Sequence, residues 1–242
     1  RVTILAGQAT QKAAREAKGQ LVEAAAKTWQ VKSEDVEIRG RKVFITSDPE
    51  RSMPFDKLAR IACYSGTGAV ILGTGYSGYG LEPLDLTNGI GNGGTSYSFT
   101  AQSARVGVDM ETGKITVTDF TIASDCGRLL SPIQAEGQIE GASVQGMGQT
   151  IYEDFIMDRG KTLNPTLLDY KMPHSTDIPN IKLIDIVTND PDGPFGAKET
   201  SEGSIVSTPP AVVSAIHDAT GIWFKELPIT PEKVIKALKE KL

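Results

Sequence analysis

The 242-residue sequence lacks several features that would assign it to a particular class of protein. Its two cysteines, Cys63 and Cys126, lie far apart and form no Cys-x-x-Cys pair. Zinc or iron–sulfur ligation by this chain alone is therefore not expected. A run of 18 apolar residues is missing, which argues against a membrane-spanning helix. No signal-peptide pattern opens the chain, so we expect a cytoplasmic protein without a membrane partner.

Basic residues are also too few to suggest a nucleic-acid partner. The chain has 25 Lys and Arg against 30 Asp and Glu, a net charge of -5, and no strong basic cluster. Binding of nucleic acid needs a Lys/Arg patch that neutralises phosphates, so this partner is excluded. Hydrophobic residues make up 39% and charged residues 23%, which is ordinary for a globular protein. Because Arg1 is not Met, and residues 1–7 read as the middle of a polypeptide, we expect a fragment of a longer protein.

The first half of the chain combines helices with a short strand pair. Apolar periodicity predicts a helix over residues 8–29, beginning just after Gly7. Unpaired amides at such a helix start can hold an anion, although a plain surface helix is the simpler interpretation. Two short strands around a glycine turn at 36–45 and a short helix at 54–62 follow. The glycine-dense residues 65–98 predict a long surface loop.

The second half predicts a β-hairpin followed by helices. Residues 105–109 and 114–123 alternate around a turn at 111–113. A strand is predicted at 181–188, a helix at 209–220, and a last helix at 231–242 with Thr230 as its N-cap. With no internal repeat, the pattern is typical of an α+β fold of mixed and antiparallel strands packed with helices.

A helix predicted over 132–152 is unusual because it contains four glycines, Gly137, Gly141, Gly146 and Gly148. Each glycine inside a helix costs about 1 kcal/mol relative to alanine. Close packing against another backbone would offset this cost, and so would the close approach of a cofactor. The sequence leaves both explanations open.

Few residues are candidates for chemistry. His174 falls in a predicted loop, and His217 falls in an apolar helix where a structural role is favoured. The chain has no nucleophile-elbow motif and no phosphate-binding lysine motif. Glu199 differs from most other acidic residues because it lies between a glycine-rich turn at 192–196 and small residues at 200–203. A crowded pocket of this kind suits a general base, and a helix-capping or solvated glutamate is the alternative.

Four segments, in this order, resemble the molybdopterin-binding large subunit of the xanthine dehydrogenase family of molybdenum hydroxylases, in its C-terminal part. They are Arg-Val-Thr-Ile-Leu-Ala-Gly-Gln-Ala at 1–9, Cys-Gly-Arg-Leu-Leu-Ser-Pro at 126–132 with Gly-Gln-Ile-Glu-Gly at 137–141, Asn-Pro to Met-Pro at 164–173, and Gly-Ala-Lys-Glu at 196–199. The resemblance covers most of the chain and is weakest over residues 34–91. Lysine at 198 departs from the xanthine and aldehyde enzymes and is similar to the 4-hydroxybenzoyl-CoA reductase alpha subunit.

The resemblance implies a role for each matching residue. Glu199 corresponds to the catalytic base, which takes a proton from a metal-bound hydroxyl. Gln138 corresponds to the glutamine that contacts the pterin near molybdenum, and no residue of this chain is expected to ligate the metal itself. Lys198 is expected to point away from the pocket or to bind an acidic group of the substrate. The remaining implied cofactor contacts are Gly137 and Gly141 along the pterin, and Thr3, Gln8 and Ala9 at its phosphate or nucleotide end.

The same resemblance implies an oxidoreductase that acts at an electron-poor aromatic, heteroaromatic or aldehyde carbon, or the reverse reductive dehydroxylation of an aryl-CoA. The implied cofactor is molybdopterin with molybdenum, in its cytosine dinucleotide form. Two-iron, two-sulfur clusters and FAD are expected in partner chains, beside the remaining part of the molybdopterin subunit. Residues 1–242 are interpreted as a molybdopterin-binding domain fragment with two subdomains that meet near 91–100. Two alternatives remain, a non-catalytic scaffold subunit and a hydroxylase of N-heterocycles such as nicotinate or a purine.

Overall fold

The computed structural model describes residues 2–64, 70–78 and 84–241. The chain divides into two compact units, Arg1–Thr95 and Ser96–Leu242, and each is described by itself. Part of the predicted loop at 65–98 lies outside the described residues. Residues 70–78 and 84–98 contain neither a helix nor an extended strand.

The first unit packs two helices on a three-stranded antiparallel sheet. Its buried core includes Ala25 and Leu58, one from each helix, and Val43 from the sheet. The predicted strand pair and the predicted short helix are both confirmed within two residues of their expected ends. The elements are α1 (Val2–Trp29), β1 (Val36–Arg39), β2 (Lys42–Ile45), β3 (Asp48–Pro54) and α2 (Phe55–Tyr64), with the strands in the order β1-β2-β3.

Helix α1 begins earlier than the sequence predicted. It extends from Val2, so Gly7 lies inside the helix instead of preceding it. The predicted helix start at Gly7 is therefore wrong, and the amides of Gln8 and Ala9 are not unpaired helix-start amides. A single glycine weakens a helix by only about 1 kcal/mol, which the rest of a 28-residue helix can offset.

The extended segment 70–78 lies along one face of α1 and is bound there by a row of polar side chains one helical turn apart. Gln20 Nε2 donates to the Leu72 carbonyl at 2.6 Å, and Glu16 Oε2 accepts from the Thr74 amide at 2.7 Å. The row continues with Lys12 Nζ donating to the Tyr76 carbonyl at 2.9 Å and with the Ser77 hydroxyl donating to Gln8 Oε1. We call this arrangement the α1 ladder.

Two glycines allow the α1 ladder to form. A Cβ added at Gly73 would overlap the Ala13 carbonyl, and one added at Gly75 would overlap the Ala9 carbonyl. Since both obstacles are backbone atoms inside a helix, neither can move aside. The backbone of the segment therefore contacts α1 more closely than any residue with a side chain would permit.

Gly75→Ala is expected to detach the segment from α1 and so to free the backbone at Tyr76, whose side chain is already exposed, for cleavage by chymotrypsin. We expect a loss of stability of roughly 1–3 kcal/mol, the usual cost of forcing an extra methyl into a packed site. Limited proteolysis measures the effect as an increased rate of cleavage after Tyr76. Gly78→Ala is the matched control because its Cβ would meet only the flexible Tyr76 side chain. Equal cleavage of the two variants would contradict the role of Gly75.

The second unit places helices on one face of a three-stranded mixed sheet. The predicted hairpin is confirmed as β4 and β5, which pair antiparallel, while β8 adds to β5 in parallel. The elements are β4 (Phe99–Val108), β5 (Ile115–Asp125), α3 (Pro132–Ile151), β6 (Met157–Asp158), β7 (Lys161–Thr162), β8 (Asn180–Asp185), α4 (Glu202–Thr220) and α5 (Pro231–Lys241), with β6 and β7 forming a separate small hairpin. The α+β class with mixed and antiparallel strands is therefore confirmed.

The core of the second unit lies between the sheet and α3, α4 and α5. Phe120 and Ile122 of β5 meet Ile139 of α3 and Ile216 of α4, all of them fully buried. A bulge opposite Arg105 and Val106 changes the phase of β5, so that odd-numbered residues are buried before it and even-numbered residues after it. The bulge explains why a single alternating pattern does not describe the whole strand.

Helix α4 begins at Glu202, seven residues before the predicted start, which makes the prediction of a start at Pro209 wrong. Pro209 and Pro210 lie inside the helix, although each removes one backbone hydrogen bond. The preceding turns are held by packing, since Ser204 and Thr208 are buried against neighbouring elements. Two consecutive prolines are typical of a helix start, and this pattern concealed the earlier turns.

Within the described residues, no helix is both long enough and apolar enough to cross a membrane.

Candidate cofactor and catalytic site

The loop that carries Glu199 is joined by its backbone to the segment that follows β5. The Lys198 amide donates to the Cys126 carbonyl and the Arg128 amide donates to the Gly196 carbonyl, both at 2.8 Å. Gly127 has a φ of 70°, and a Cβ there would overlap the Gly196 carbonyl. Two of the four segments that carry the family resemblance, at 126–132 and 196–199, therefore fold against each other, and a glycine permits their close approach.

The Glu199 carboxylate is held at the start of α4. Its Oε2 atom accepts from the amides of Ser201 and Glu202, each at 3.0 Å, and its Oε1 atom accepts from the Ser98 hydroxyl. The two amide contacts are those of a capping glutamate, the alternative that the sequence left open. Gly203 provides the space, because a Cβ there would lie 3.2 Å from Oε1. Glu199 is half-buried, so its position is fixed while part of it stays accessible.

Lys198 points away from Glu199 into a buried ion pair, which confirms one of the two orientations expected for it. Its Nζ atom donates to Asp125 Oδ2 at 2.7 Å and to the Tyr97 carbonyl at 2.9 Å. Burial raises the pKa of Asp125, but hydrogen bonds from Lys198, Thr188 and the Gly127 amide outweigh it and hold this pKa below its usual range. A charged and fully partnered pair thus lies directly beneath the loop.

A hollow of about 260 Å³ lies beside the start of α4. Its walls come from α3 and from the first turn of α4, and the amides of two wall residues, Ser201 and Glu202, bind Glu199. Gln138 is exposed at this hollow. The lining residues are Gly137, Gln138, Gly141, Ala142, Gln145, Ser201, Glu202 and Ile205.

The four glycines of α3 separate into two kinds. A Cβ at Gly146 would lie 2.6 Å from the Thr208 Cβ on α4, and one at Gly148 would overlap the Glu153 carboxylate, so packing within the chain explains both. Gly137 and Gly141 line the hollow, and a Cβ at either would meet no described atom within 4 Å. Contacts with the described residues do not account for these two glycines. A planar group that approaches the helix backbone would explain the two glycines, so the residues fit a pterin.

The other predicted site residues lie on other elements. Thr3, Gln8 and Ala9 lie on α1 in the first unit, where Gln8 binds Ser77 and the Ala9 carbonyl lies under Gly75. Their assignment to the phosphate or nucleotide end of the cofactor stays a prediction. His174 is exposed in a loop beside Asp177. His217 stacks on Trp223 with ring centroids 4.0 Å apart, which fits the structural role favoured by the sequence.

Sequence reasoning missed two residues around the site, Ser98 and Gln102. Ser98 lies in the glycine-rich segment without periodicity, and no local signal marks its contact with a residue 101 positions away. Gln102 of β4 joins α3 to α4, because its Nε2 atom donates to Ser143 Oγ and to the Ser204 carbonyl while Thr208 donates to its Oε1 atom. An amide inside an otherwise alternating strand was the available signal for Gln102.

The chain is similar in sequence to known molybdopterin-binding proteins. The sequence profile of the molybdopterin cofactor-binding domain matches residues 1–179. The chain is 38% identical over 147 residues to the probable hypoxanthine oxidase of Escherichia coli (strain K12), covering 60% of this chain and 15% of that protein. It is 38% identical over 162 residues to the aldehyde oxidoreductase of Megalodesulfovibrio gigas, covering 66% of this chain and 17% of that protein.

A solved structure shows the same fold. The quinoline 2-oxidoreductase of Pseudomonas putida 86 superimposes with a TM-score of 0.76 at 28% identity, over 93% of this chain and 28% of that one. The chain thus spans less than a third of the length of these three proteins. The resemblance to the xanthine dehydrogenase family of molybdenum hydroxylases is confirmed, and the chain belongs to the family of molybdopterin cofactor-binding domains.

Proposed function

We propose that this chain supplies one wall of the pterin site and the catalytic base of a molybdenum hydroxylase. The enzyme is an oxidoreductase that acts at an electron-poor aromatic, heteroaromatic or aldehyde carbon. One observation carries the proposal. Two helical glycines at which a Cβ would meet no described atom within 4 Å, Gly137 and Gly141, flank Gln138 at a hollow whose wall residues also bind the Glu199 carboxylate.

Three residues of α3 hold the cofactor in this proposal. Gly137 and Gly141 let the pterin plane approach the helix backbone, and the Gln138 amide hydrogen-bonds to it at about 3 Å. Thr3, Gln8 and Ala9 contact its phosphate or nucleotide end, which we propose is a cytosine dinucleotide. When bound, the cofactor supplies the two-electron redox chemistry at the substrate carbon.

Glu199 is the proton acceptor of the reaction. The two amides that bind Oε2 and the Ser98 hydroxyl that binds Oε1 fix the carboxylate plane before substrate arrives. Such preorganisation matters because a base must lie within hydrogen-bond reach of the proton that it removes. Glu199 therefore acts both as the cap of α4 and as the base.

The exposed apolar surface of the second unit supports a large partner interface. Phe155, Leu167 and Leu168 are 61%, 72% and 77% exposed, within a single stretch of 14 residues. We propose that the remaining part of the molybdopterin subunit covers such surfaces over roughly 2,000 Å² or more. Iron–sulfur and FAD subunits would then carry the electrons onward.

Hydroxylation of an N-heterocycle is the second candidate function. Two of the three similar proteins, the hypoxanthine oxidase and the quinoline 2-oxidoreductase, are named for substrates of this class. The reductase direction has less support, because Lys198 is occupied by Asp125 and so does not face the hollow to bind an acyl-CoA group. A non-catalytic scaffold would need neither Gln138 at the hollow nor a fixed Glu199.

Filling the hollow tests the proposed function. Gly141→Leu projects a side chain where the pterin would lie, so we expect the assembled protein to lose most of its molybdenum and pterin while it stays folded. Gly19→Leu is the matched control, since Gly19 is also a helical glycine whose Cβ would meet no described atom within 4 Å. Metal analysis and pterin fluorescence provide the measurement. A wild-type complex without molybdenum, or full metal content in Gly141→Leu, would overturn the proposal.

A further inference from the structure

We propose that Ser98 is the residue that positions Glu199, and that the buried Lys198–Asp125 pair is the anchor that delivers Ser98 to it. This inference rests on the proposed function of Glu199 as the base. It concerns atoms of this chain alone and adds a residue that no local sequence pattern identified.

The residues preceding β4 are joined to the Glu199 loop by three consecutive contacts. The Ser96 hydroxyl donates to Asp190 Oδ2 at 2.6 Å, and the Tyr97 carbonyl accepts from Lys198 Nζ at 2.9 Å. The Ser98 hydroxyl then donates to Glu199 Oε1. Tyr97 and Ser98 thus bind two adjacent residues, Lys198 and Glu199, so the position of Lys198 determines the position of Ser98.

Lys198 is a fixed point because its ammonium is held from several sides. Asp125 accepts from it at 2.7 Å, the Tyr97 carbonyl accepts at 2.9 Å, and the Phe99 ring centroid lies 5.8 Å away. The side chain is only 6% exposed. A buried ammonium with these partners cannot rotate away without leaving the Asp125 charge uncompensated, which is strongly unfavourable. The Tyr97 carbonyl, and with it the backbone that carries Ser98, is therefore held in place.

The Ser98 hydroxyl determines the orientation of Oε1, the oxygen that the α4 amides do not bind. Those amides hold Oε2, and rotation about the last side-chain bond of Glu199 would carry Oε1 away from its present position. Gly203 offers no side chain to prevent this rotation. The serine therefore acts through Glu199 in two ways: it fixes the direction in which Oε1 presents its remaining lone pair, and it donates to the carboxylate form.

Four variants of the assembled enzyme test the inference. In Ser98→Ala we expect kcat to fall roughly 10- to 100-fold with little change in KM. This fall corresponds to the loss of one hydrogen bond to a charged group. Ser98→Thr keeps a hydroxyl and should restore kcat. Ser103→Ala is the control, because it removes an exposed serine hydroxyl of β4 that takes no part in these contacts, so its kcat should match the wild type. Glu199→Gln is the fourth variant and reports on the base itself.

A second readout does not depend on activity. A structure of the assembled Ser98→Ala protein should show Glu199 Oε1 displaced while the start of α4 is unchanged. Wild-type kcat in Ser98→Ala, or failure of Ser98→Thr to restore kcat, would overturn the positioning role. If Glu199→Gln were inactive in the same series, the proposed function would stand. If Glu199→Gln were active, the assignment of the base would itself be wrong.

Discussion

Glu199→Gln is expected to lower turnover by about 10,000-fold, the upper end of the range for loss of a general base. The structure indicates that the substitution removes the base without disturbing its surroundings. The glutamine oxygen can still accept from the Ser201 and Glu202 amides, so the cap of α4 survives. The Ser98 hydroxyl, which can donate or accept, can turn to accept from the new amide group.

The measurement is turnover with the molybdenum content matched to that of the wild type. Glu140→Gln is a matched control, because Glu140 is an exposed carboxylate of α3 that does not line the hollow. Its turnover should stay within a few-fold of the wild type. Near-normal turnover of Glu199→Gln would direct attention to Glu202, which does line the hollow. Loss of molybdenum together with activity would make Glu199 a cofactor-retaining residue.

Lys198→Met is expected to destabilise the protein by about 3–5 kcal/mol, the usual cost of removing one partner from a buried ion pair. Methionine fills a similar volume but leaves the Asp125 carboxylate charged and buried, and it leaves the Tyr97 carbonyl without its donor. Urea-induced unfolding of the assembled protein, followed by tryptophan fluorescence, measures the free energy of unfolding. Asp125→Asn with Lys198→Met removes both charges and should recover much of the loss.

The dependence on pH gives this prediction a second test. In the wild type the pKa of Asp125 is below its usual range, so its contribution to stability is present above the unfolded-state pKa and is lost as the pH falls through the lower folded-state value. Without Lys198, burial raises the pKa of this carboxyl, and acid then relieves the buried charge. The stability difference between the two proteins should therefore shrink on acidification. A constant difference would show that Asp125 is not the cause.

Local chemistry made part of the fold predictable. The β4–β5 hairpin, α3 and α5 were predicted because alternation, turn residues and capping residues are all encoded within a few positions. The two helices whose starts were wrong each contain a residue that normally breaks helices, Gly7 in α1 and the pair of prolines in α4. In both helices the rest of the element outweighs the local penalty, which a short sequence window does not reveal.

The candidate site divides in the same way. Small residues on both sides of Glu199 indicated a crowded loop. The glycines of α3 indicated that another backbone or a cofactor closely approaches this helix. The sequence could not separate Gly141, which faces the hollow, from Gly146, which packs on Thr208, since that requires knowing where α4 lies. The contact of Ser98 with Glu199 and that of Lys198 with the Tyr97 carbonyl each span 101 residues in sequence, and no periodicity encodes them.

The α1 ladder fixes the number of residues in segment 70–78. Four residues of helix rise about 6 Å, and two residues of extended chain span about 6.6 Å. The first three polar side chains of the ladder therefore meet every second residue of the segment, at Leu72, Thr74 and Tyr76. Because extended chain alternates its two faces, one inserted residue between Gly73 and Gly75 would turn a side chain toward the helix backbone. Surface loops commonly absorb insertions and deletions during evolution. Segment 70–78 contains no helix or strand, but we expect it to keep its length as strictly as a core strand does.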